Sequence, residues 1–198
     1  MKALLLIDIQ NDFVEGGSLA VPGGKGIIPL VNRLQDNYQL IVATQDWHPQ
    51  DHGSFAANHE QKQIGEVIDL HGLSQVLWPI HCVQDSSGAE FVPELDTSRI
   101  DRIFYKGTDP EIDSYSGFFD NGKRKDTGLG DYLRSKGVSK VDIVGLATDY
   151  CVKFSALDAH SLGFETTVIA DATRGVNLQA GDVDAAYEAM RQAGVYVR

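Results

Sequence analysis

Residues 141–157 read VDIVGLATDYCVKFSAL, and this stretch decides the fold. The apolar run Val141–Leu146 predicts a buried strand, the residues from Ala147 to Tyr150 predict a tight turn, and a helix is predicted to begin near Cys151. A thiol at a helix start faces unpaired N–H groups and the positive end of the helix dipole. Both favour a thiolate, and the same groups could hold a developing oxyanion. A buried apolar cysteine is the commoner fate of this residue, so the segment alone leaves both interpretations open.

Two further apolar runs end in polar residues that suit the chemistry of a thiol. The run 3–7 ends at Asp8, and the run 102–105 ends at Lys106. Runs that are apolar on both faces are typical of a parallel sheet covered by helices on each side. Such sheets bind ligands at the carboxyl ends of their strands. Asp8, Lys106 and Cys151 are therefore predicted to meet at one sheet edge as proton acceptor, charge partner and nucleophile.

Length and composition limit the class of protein. The chain has 198 residues and a net charge of −11, which suits one domain and argues against nucleic acid or an anionic membrane as partner. Its two cysteines, Cys82 and Cys151, are too few for a disulfide framework and suit a reducing compartment. Asp8 breaks the first apolar run, which is therefore neither a signal peptide nor a membrane span. We expect a cytoplasmic protein that acts on a small molecule, with a homo-oligomer as an open alternative to a monomer.

Strands that alternate with helices predict the fold class. The predicted strands are Lys2–Ile9, Gln39–Thr44, Arg102–Tyr105, Val141–Leu146, Thr166–Ala170 and Gly194–Val197. The predicted helices are Ile27–Asn37, Gly128–Lys136, Tyr150–Leu162 and Asp182–Ala193. This alternation predicts one α/β domain over residues 1–198, with a mainly parallel sheet. Residues 47–93 fit the alternation poorly, and an irregular insert of this length in a compact domain is usually functional.

The start of the insert offers metal ligands. Asp46 and His48 closely follow a predicted strand, and residues i and i+2 of an extended chain point to the same side. His81 can supply a third ligand from within the insert. Two imidazoles and one carboxylate leave coordination positions open, as in catalytic sites, and suit zinc, iron or manganese. A plain His–Asp hydrogen bond is the alternative, and either His52 or a water could complete the metal shell.

Other polar and glycine-rich features have plainer interpretations. We expect His59 and His71 at the surface, His160 packed or facing solvent, and Cys82 in the core. The glycines of 23–26 have neither dinucleotide spacing nor the Lys-Ser/Thr of a phosphate-binding loop, which argues against a nucleotide cofactor.

Seven motifs together carry a family resemblance. They are Leu6–Phe13 (LIDIQNDF), Thr44–Pro49 (TQDWHP), Trp78–Val83 (WPIHCV), Gly88–Phe91 (GAEF), Tyr105–Gly107 (YKG), Ser114–Phe118 (SYSGF) and Gly145–Val152 (GLATDYCV). With these motifs, almost the whole chain resembles the nicotinamidases (pyrazinamidases) of the isochorismatase-like cysteine hydrolase superfamily. Cys151 separates the chain from isochorismatase itself, which lacks the nucleophile. The Asp-x-His pair, Asp46 and His48, separates it from most other relatives.

The resemblance implies a three-layer α/β sandwich with a six-stranded, mainly parallel sheet. The implied catalytic triad is Asp8, Lys106 and Cys151. The implied ligands of one divalent metal, zinc in the first place, are Asp46, His48 and His81. The implied pocket residues are Phe13, Trp78 and Tyr115, and the implied oxyanion hole consists of the N–H groups of Ala147 and Cys151. Relatives carry a cis peptide just before the position of Ala147. Many relatives carry Ala at the position of Gly117, which we expect to alter the packing beside Tyr115 and not the chemistry.

The implied activity is the deamidation of nicotinamide to nicotinate and ammonia through a thioester, with pyrazinamide as a further substrate, in NAD salvage. Aromatic side chains can stack on this planar amide, and a metal at its ring nitrogen would set the carboxamide over the thiol. One alternative is hydrolysis of another small amide, such as an N-carbamoyl or ureido compound, which the aromatic trio and the metal disfavour. The other alternative is a non-catalytic binding module, and the presence of all three triad residues argues against it.

Overall fold

The computed structural model describes residues 1–198 and is built around a six-stranded sheet. Its strands are β1 (Lys2–Ile7), β2 (Leu40–Asp46), β5 (Arg102–Lys106), β6 (Lys140–Leu146), β7 (Glu165–Arg174) and β8 (Tyr196–Val197). The order across the sheet is β5-β2-β1-β6-β7-β8. All neighbouring strands are parallel. The predicted α/β class and six-stranded sheet are confirmed.

The two faces of the sheet pack into separate apolar cores. Leu4 and Leu6 of β1 belong to one core, whereas Leu5 and Ile7 belong to the other, because successive side chains of a strand point to opposite faces. Helix α1 (Ile28–Gln35) packs into the first core. The second core receives α2 (Leu129–Ser135), α3 (Lys153–Ser161) and α4 (Asp182–Gln192). The result is the expected three-layer sandwich, and none of its helices is long and apolar enough to cross a membrane.

The strand order reverses between β1 and β6. From β1 the chain builds outward through β2 to β5, and it then returns to β6 on the other side of β1. In open parallel sheets such a reversal opens a crevice at the carboxyl ends of the strands, where ligands bind. Asp8 follows β1 and the segment that contains Cys151 follows β6, so both residues lie at this crevice.

The insert contains an element that the sequence did not reveal. Residues Val67–Leu70 (β3) and Leu73–Val76 (β4) form an antiparallel hairpin. Its two turn residues, His71 and Gly72, both have positive φ, and the Asp69 carboxylate accepts the Gly72 N–H at 3.0 Å. The hairpin escaped prediction because a His-Gly turn lacks the Asn-Gly or Asp-Gly signal that marks such turns.

Several element boundaries differ from the prediction, and two of them lie near the sheet edge that carries Cys151. The segment Thr148–Val152 forms a π-helical turn, and the α-helix begins only at Lys153, so Cys151 lies in the wider turn before the helix. Strand β7 continues to Arg174 although we predicted its end at Ala170. The pairing of β7 with β6 shifts in register between Ile143 and Gly145. This irregularity accommodates the extra residues and lets β7 continue through polar positions.

Candidate active site

The structure brings Asp8, Lys106 and Cys151 together at the sheet edge. Asp8 follows β1, Lys106 is the last residue of β5, and Cys151 lies in the turn after β6. The Lys106 Nζ is 2.9 Å from the Asp8 Oδ2 and 3.4 Å from the Cys151 Sγ. The three side chains are buried, so the ammonium must be balanced by nearby negative charge. The arrangement offers a thiol with a carboxylate and an ammonium in direct reach.

Lys106 also connects the catalytic candidates to the metal candidates. Its ammonium pairs with Asp46 as well as Asp8, and it donates to the Ser114 carbonyl at 2.9 Å. Burial by itself lowers the pKa of Lys106, but the two carboxylates raise that pKa well above its ordinary value. Lys106 is therefore a permanent cation between the two parts of the site.

Asp8 is held in one orientation by partners on both carboxylate oxygens. The Thr44 hydroxyl donates to Oδ1 at 2.6 Å, and Lys106 contacts Oδ2. Burial raises the pKa of Asp8, although Lys106 and Thr44 act against this. A carboxylate with a raised pKa is a stronger base, which suits the removal of a thiol proton.

The electrostatics of Cys151 differ from the expectation of a stabilised thiolate. Burial raises the pKa of the thiol well above its ordinary value, and the carboxylates of Asp8 and Asp46 raise it further, whereas Lys106 lowers it. A helix terminus favours a thiolate only where this effect exceeds the cost of removing the charge from water, and here burial prevails. The resting group is therefore a thiol, and it needs a base.

Asp46, His48 and His81 form a buried cluster with the geometry of a metal site. Their ligand atoms all lie within 4.8 Å of one another. The Asp46 Oδ2 is 3.6 Å from the His48 Nε2 and 3.9 Å from the His81 Nε2. The Nδ1 atoms of the two rings are each 2.8 Å from a backbone carbonyl, of Gly107 and of Pro79 respectively.

The donor set fits a divalent cation. An Nδ1–H that donates to a carbonyl leaves the Nε2 lone pair free, as in known metal sites. The His48 Nε2 is buried and has no hydrogen-bond partner in the protein. Burial lowers the pKa of His81 to about 4, whereas Asp46 raises the pKa of His48 against the effect of burial. Metal binding needs both imidazoles neutral, so a cation would displace any proton held at His48. A cation between these three residues would satisfy the His48 Nε2, which the protein leaves without a partner.

His52 lies beside this cluster. Its ring centroid is 4.4 Å from that of His48. One potential ligand atom from each of His52, His48 and Asp113 lies within 4.8 Å of the other two. The Ser54 N–H donates to the His52 Nδ1 at 3.1 Å, which places the proton of the neutral ring on Nε2. This tautomer suits an outer position better than direct ligation.

The remaining histidines and Cys82 lie close to their expected environments. His71 is exposed, and His160 is half-buried in α3. Cys82 is fully buried in the first core, as expected. His59 was expected at the surface but is half-buried, because its Nε2 lies 2.7 Å from the Gly53 carbonyl.

A mostly apolar pocket opens onto the thiol and the metal cluster. The three predicted pocket residues, Phe13, Trp78 and Tyr115, all line it. The other residues of its wall are Leu19, Asp46, Asp113, Ala147, Tyr150, Cys151, Val176 and His81. The Trp78 Nε1 donates to the Tyr115 hydroxyl at 3.2 Å, which fixes both rings. Flat aromatic walls with a few polar groups are typical of a site for a small planar ligand.

Four pocket residues were missed from the sequence: Leu19, Asp113, Tyr150 and Val176. Tyr150 directly precedes Cys151, and Asp113 stands next to the SYSGF motif, so proximity to a motif could have suggested both. Leu19 and Val176 lie in loops without a local signal, and only tertiary packing brings them to the pocket.

The backbone beside Cys151 has a free donor. The Leu146–Ala147 peptide bond is cis, as the resemblance implies. The Tyr150 and Val152 N–H groups donate to the Ala147 carbonyl at 3.1 and 3.0 Å, whereas the Ala147 N–H makes no hydrogen bond in the protein. Ala147 and Cys151 both line the pocket, so a ligand oxygen can approach them.

Gly117 packs closely against elements that are distant in sequence. A Cβ at this position would lie 2.8 Å from the Thr44 Cγ2, and the Gly117 N–H donates to the Ser155 hydroxyl at 2.8 Å. The small residue therefore leaves room for Thr44, whose hydroxyl donates to Asp8. The expected effect of Gly117 on the packing beside Tyr115 stays a prediction.

Comparison with known proteins gives one consistent result. The isochorismatase domain family matches residues 2–198. The nicotinamidase of Escherichia coli is 49% identical over 98% of this chain and 92% of its own length. An Acinetobacter baumanii nicotinamidase and pyrazinamidase structure has a TM-score of 0.96 at 46% identity, and covers 99% of this chain and 94% of its own. A Pyrococcus horikoshii pyrazinamidase in complex with zinc has a TM-score of 0.80 at 40% identity, over 100% and 98% of the two chains.

Proposed function

The chain belongs to the isochorismatase domain family, and from this premise we propose that it is a nicotinamidase, which hydrolyses nicotinamide to nicotinate and ammonia. The single observation that carries the proposal is that Cys151, on the wall of an aromatic pocket, lies in buried contact with Lys106, which in turn pairs with Asp8. The high identity to nicotinamidases over nearly the whole chain supports the substrate. It also disfavours N-carbamoyl and ureido compounds. We further propose that residues 1–198 work as one catalytic domain.

The proposed reaction begins with the thiol of Cys151. Asp8 accepts the thiol proton, and the sulfur attacks the amide carbon to form a C–S bond, while the carbonyl π electrons move to the oxygen. The N–H groups of Ala147 and Cys151 stabilise this oxyanion. Lys106 keeps Asp8 in place and offsets the negative charge that develops beside two carboxylates.

The second half of the reaction releases both products. Asp8 returns its proton to the amide nitrogen, the C–N bond breaks, and ammonia leaves a thioester on Cys151. Asp8 then takes a proton from a water molecule as the water oxygen attacks the thioester carbon. The C–S bond breaks, Asp8 returns its proton to the sulfur to restore the thiol, and the nicotinic acid ionises and departs as nicotinate. In each half of the reaction Asp8, whose pKa is raised, first accepts a proton and then donates it.

We propose that Asp46, His48 and His81 hold a divalent cation, with zinc as the first candidate and iron or manganese as alternatives. When bound there, the cation would act as a Lewis acid toward the ring nitrogen of the substrate and so orient the carboxamide. The buried and unpartnered His48 Nε2 supports this proposal. The zinc in the Pyrococcus horikoshii pyrazinamidase supports the choice of metal.

An ammonia-release assay over several amides tests the function. We expect turnover of nicotinamide and of pyrazinamide, which has a nitrogen at the same ring position. Benzamide lacks this nitrogen, and its kcat/KM should be lower by about 10²-fold or more. A site that is built to bond to the ring nitrogen is left with an unpaired group when the substrate has none. Faster release from a ureido or carbamoyl compound than from nicotinamide would overturn the proposed substrate.

Removal of the cation should reduce both rate and selectivity. After chelation and dialysis, we expect kcat/KM for nicotinamide to fall and its preference over benzamide to shrink, because the discriminating bond is then absent. The measurements are metal content and the two specificity constants, before and after zinc is restored. A metal-free enzyme that kept its rate and preference would show that the cation has no part in orienting the substrate.

Gly107→Ala should weaken metal binding. Gly107 has a φ of +63°, and a Cβ there would lie 2.3 Å from the His48 Cε1, so the imidazole must move away from the cluster. The Gly107 carbonyl is also the hydrogen-bond partner of this ring, and loss of such an outer-shell partner typically costs about 10–100-fold in metal affinity. The measurement is a competitive chelator titration of zinc.

Gly128→Ala is the matched control for this substitution. Gly128 has a φ of +81°, so alanine meets the same backbone penalty, but its Cβ would have no neighbour within 4 Å. The control should therefore keep normal zinc affinity. Equal zinc affinity in the two variants would contradict the assignment of His48 as a ligand.

A further inference from the structure

The loop between β7 and α4 forms one wall of the pocket. Its residue Val176 lines the pocket together with Trp78 and Cys151. Over residues 175–178, only two main-chain N–H groups donate hydrogen bonds, those of Val176 and Asn177. A loop with so few main-chain hydrogen bonds depends on its few anchors for a fixed position.

Both anchors end on a single carboxylate. The Val176 N–H donates to the Asp149 Oδ1 at 2.9 Å, and the Asn177 N–H donates to the Asp149 Oδ2 at 2.8 Å. Asp149 is only 3% exposed, and hydrogen bonds to a buried ionised group are among the stronger ones in proteins. It lies in the π-helical turn that also contains Cys151. One side chain thus ties the turn of the nucleophile to the loop that brings Val176 to the pocket.

The surroundings leave this loop little freedom near the carboxylate. A Cβ on Gly175 would lie 2.1 Å from the Val183 Cγ2 and 3.0 Å from the Asp149 Oδ1, so only glycine fits. Asn177 has a φ of +51°, and its side-chain oxygen accepts the Val183 N–H at 3.1 Å. The loop is therefore closely packed between Asp149 and the start of α4, and Val176 is directed at the pocket.

We propose that Asp149 is a positioning residue that holds Val176 against the ring of the substrate and thereby helps to select it. This inference rests on the proposed function, because it assigns Val176 to the slot that receives nicotinamide. Asp149 does not touch the reacting atoms. Its two hydrogen bonds fix the distance between the wall that carries Val176 and the turn that carries Cys151, so a ring of one size is held between them.

The first test compares Asp149→Asn with wild type by hydrogen exchange. An asparagine amide presents only one acceptor to the two N–H groups, so one bond is lost without a change of side-chain size. We expect the amides of Val176 and Asn177 to exchange about tenfold faster or more. Unchanged exchange at both amides would overturn the proposed anchor, and this readout does not depend on any substrate.

The second test asks whether the anchor acts through Val176. Asp149→Asn and Val176→Ala should each raise KM for nicotinamide roughly fivefold to tenfold, since each loses the contact of two methyl groups with the ring. The effect on kcat should be smaller. Both variants should also accept ring-methylated nicotinamides better, relative to nicotinamide, than wild type does. In the double variant KM should rise no further than in the more affected single variant, because both changes remove the same contact.

Asp158→Asn is the matched control. Asp158 is buried in α3 and pairs with Lys123. The variant therefore removes a buried carboxylate charge, as Asp149→Asn does, at a site that does not contact the loop. This control should keep the wild-type KM and the wild-type selectivity for ring size. The inference is overturned if Asp149→Asn matches the control in both KM and selectivity for ring size. It is also overturned if the increases in KM of the two single variants multiply in the double variant. A wild-type enzyme that released no ammonia from nicotinamide would instead overturn the proposed function.

Discussion

Replacement of Cys151 by alanine is expected to abolish the release of ammonia from nicotinamide, with a loss of kcat on the order of 10⁵-fold or more. The reason is that alanine has no atom that can form the bond to the amide carbon, whereas Cys151 carries the thiol that Lys106 contacts on the pocket wall. The measurement is ammonia release at saturating nicotinamide. Mass spectrometry of the quenched reaction should also lose the acyl adduct on the protein.

Cys82→Ala is the natural control, because it removes the other cysteine of the chain. Burial raises the pKa of Cys82 as well, and its sulfur lies in the first apolar core with a weak contact to the Gly88 carbonyl at 3.9 Å. The control should retain most of the activity and lose some stability. Full activity in Cys151→Ala, or its loss only in Cys82→Ala, would exclude Cys151 as the nucleophile.

Replacement of Asp8 by asparagine should lower kcat by about 10³-fold, within the range for loss of a general base. The amide keeps the size of the side chain and can still accept the Thr44 hydroxyl, but it cannot take the proton of a thiol whose pKa is raised by burial. Single-turnover kinetics should place the loss in the formation of the thioester. The double variant with Cys151→Ala should be no worse than Cys151→Ala alone, because the two residues act as a unit.

Asp142→Asn provides a matched control for the loss of a buried carboxylate. Asp142 is 1% exposed, and it accepts hydrogen bonds from Tyr38, Lys2 and Arg198 within the sheet, away from the pocket. This variant should melt at a lower temperature yet keep its specific activity. Near-normal turnover by Asp8→Asn, in a protein that melts like wild type, would rule out Asp8 as the base.

Much of the fold followed from short apolar runs. Such runs could be assigned to strands because a strand buried on both faces is continuously apolar, and this property is local to the sequence. The positions of Asp8 and Lys106 followed in turn, because each comes at or directly after the end of such a run. The β3–β4 hairpin and the last residues of β7 were missed, because their polar residues and the His-Gly turn hide the extended conformation.

The pocket was only partly accessible from the sequence. The family motifs identified Phe13, Trp78 and Tyr115, and all three line the pocket in the structure. Val176 could not be found in this way, because its place depends on hydrogen bonds to Asp149, which lies 27 residues earlier in the chain. The close approach of Gly117 to Thr44 could not be found either, since Thr44 belongs to a distant strand.

The sequence by itself determined that Asp8 and Lys106 stand at the carboxyl ends of their strands, because continuous apolar runs can be read along the chain. Tertiary structure alone decided how these residues affect one another. It placed the Lys106 ammonium between Asp8 and Asp46, which are 98 and 60 residues earlier in the chain, and it left the His48 Nε2 buried without a partner. It also reversed the expected shift in the pKa of Cys151, since that shift depends on how much water and charge the packed protein leaves around the thiol.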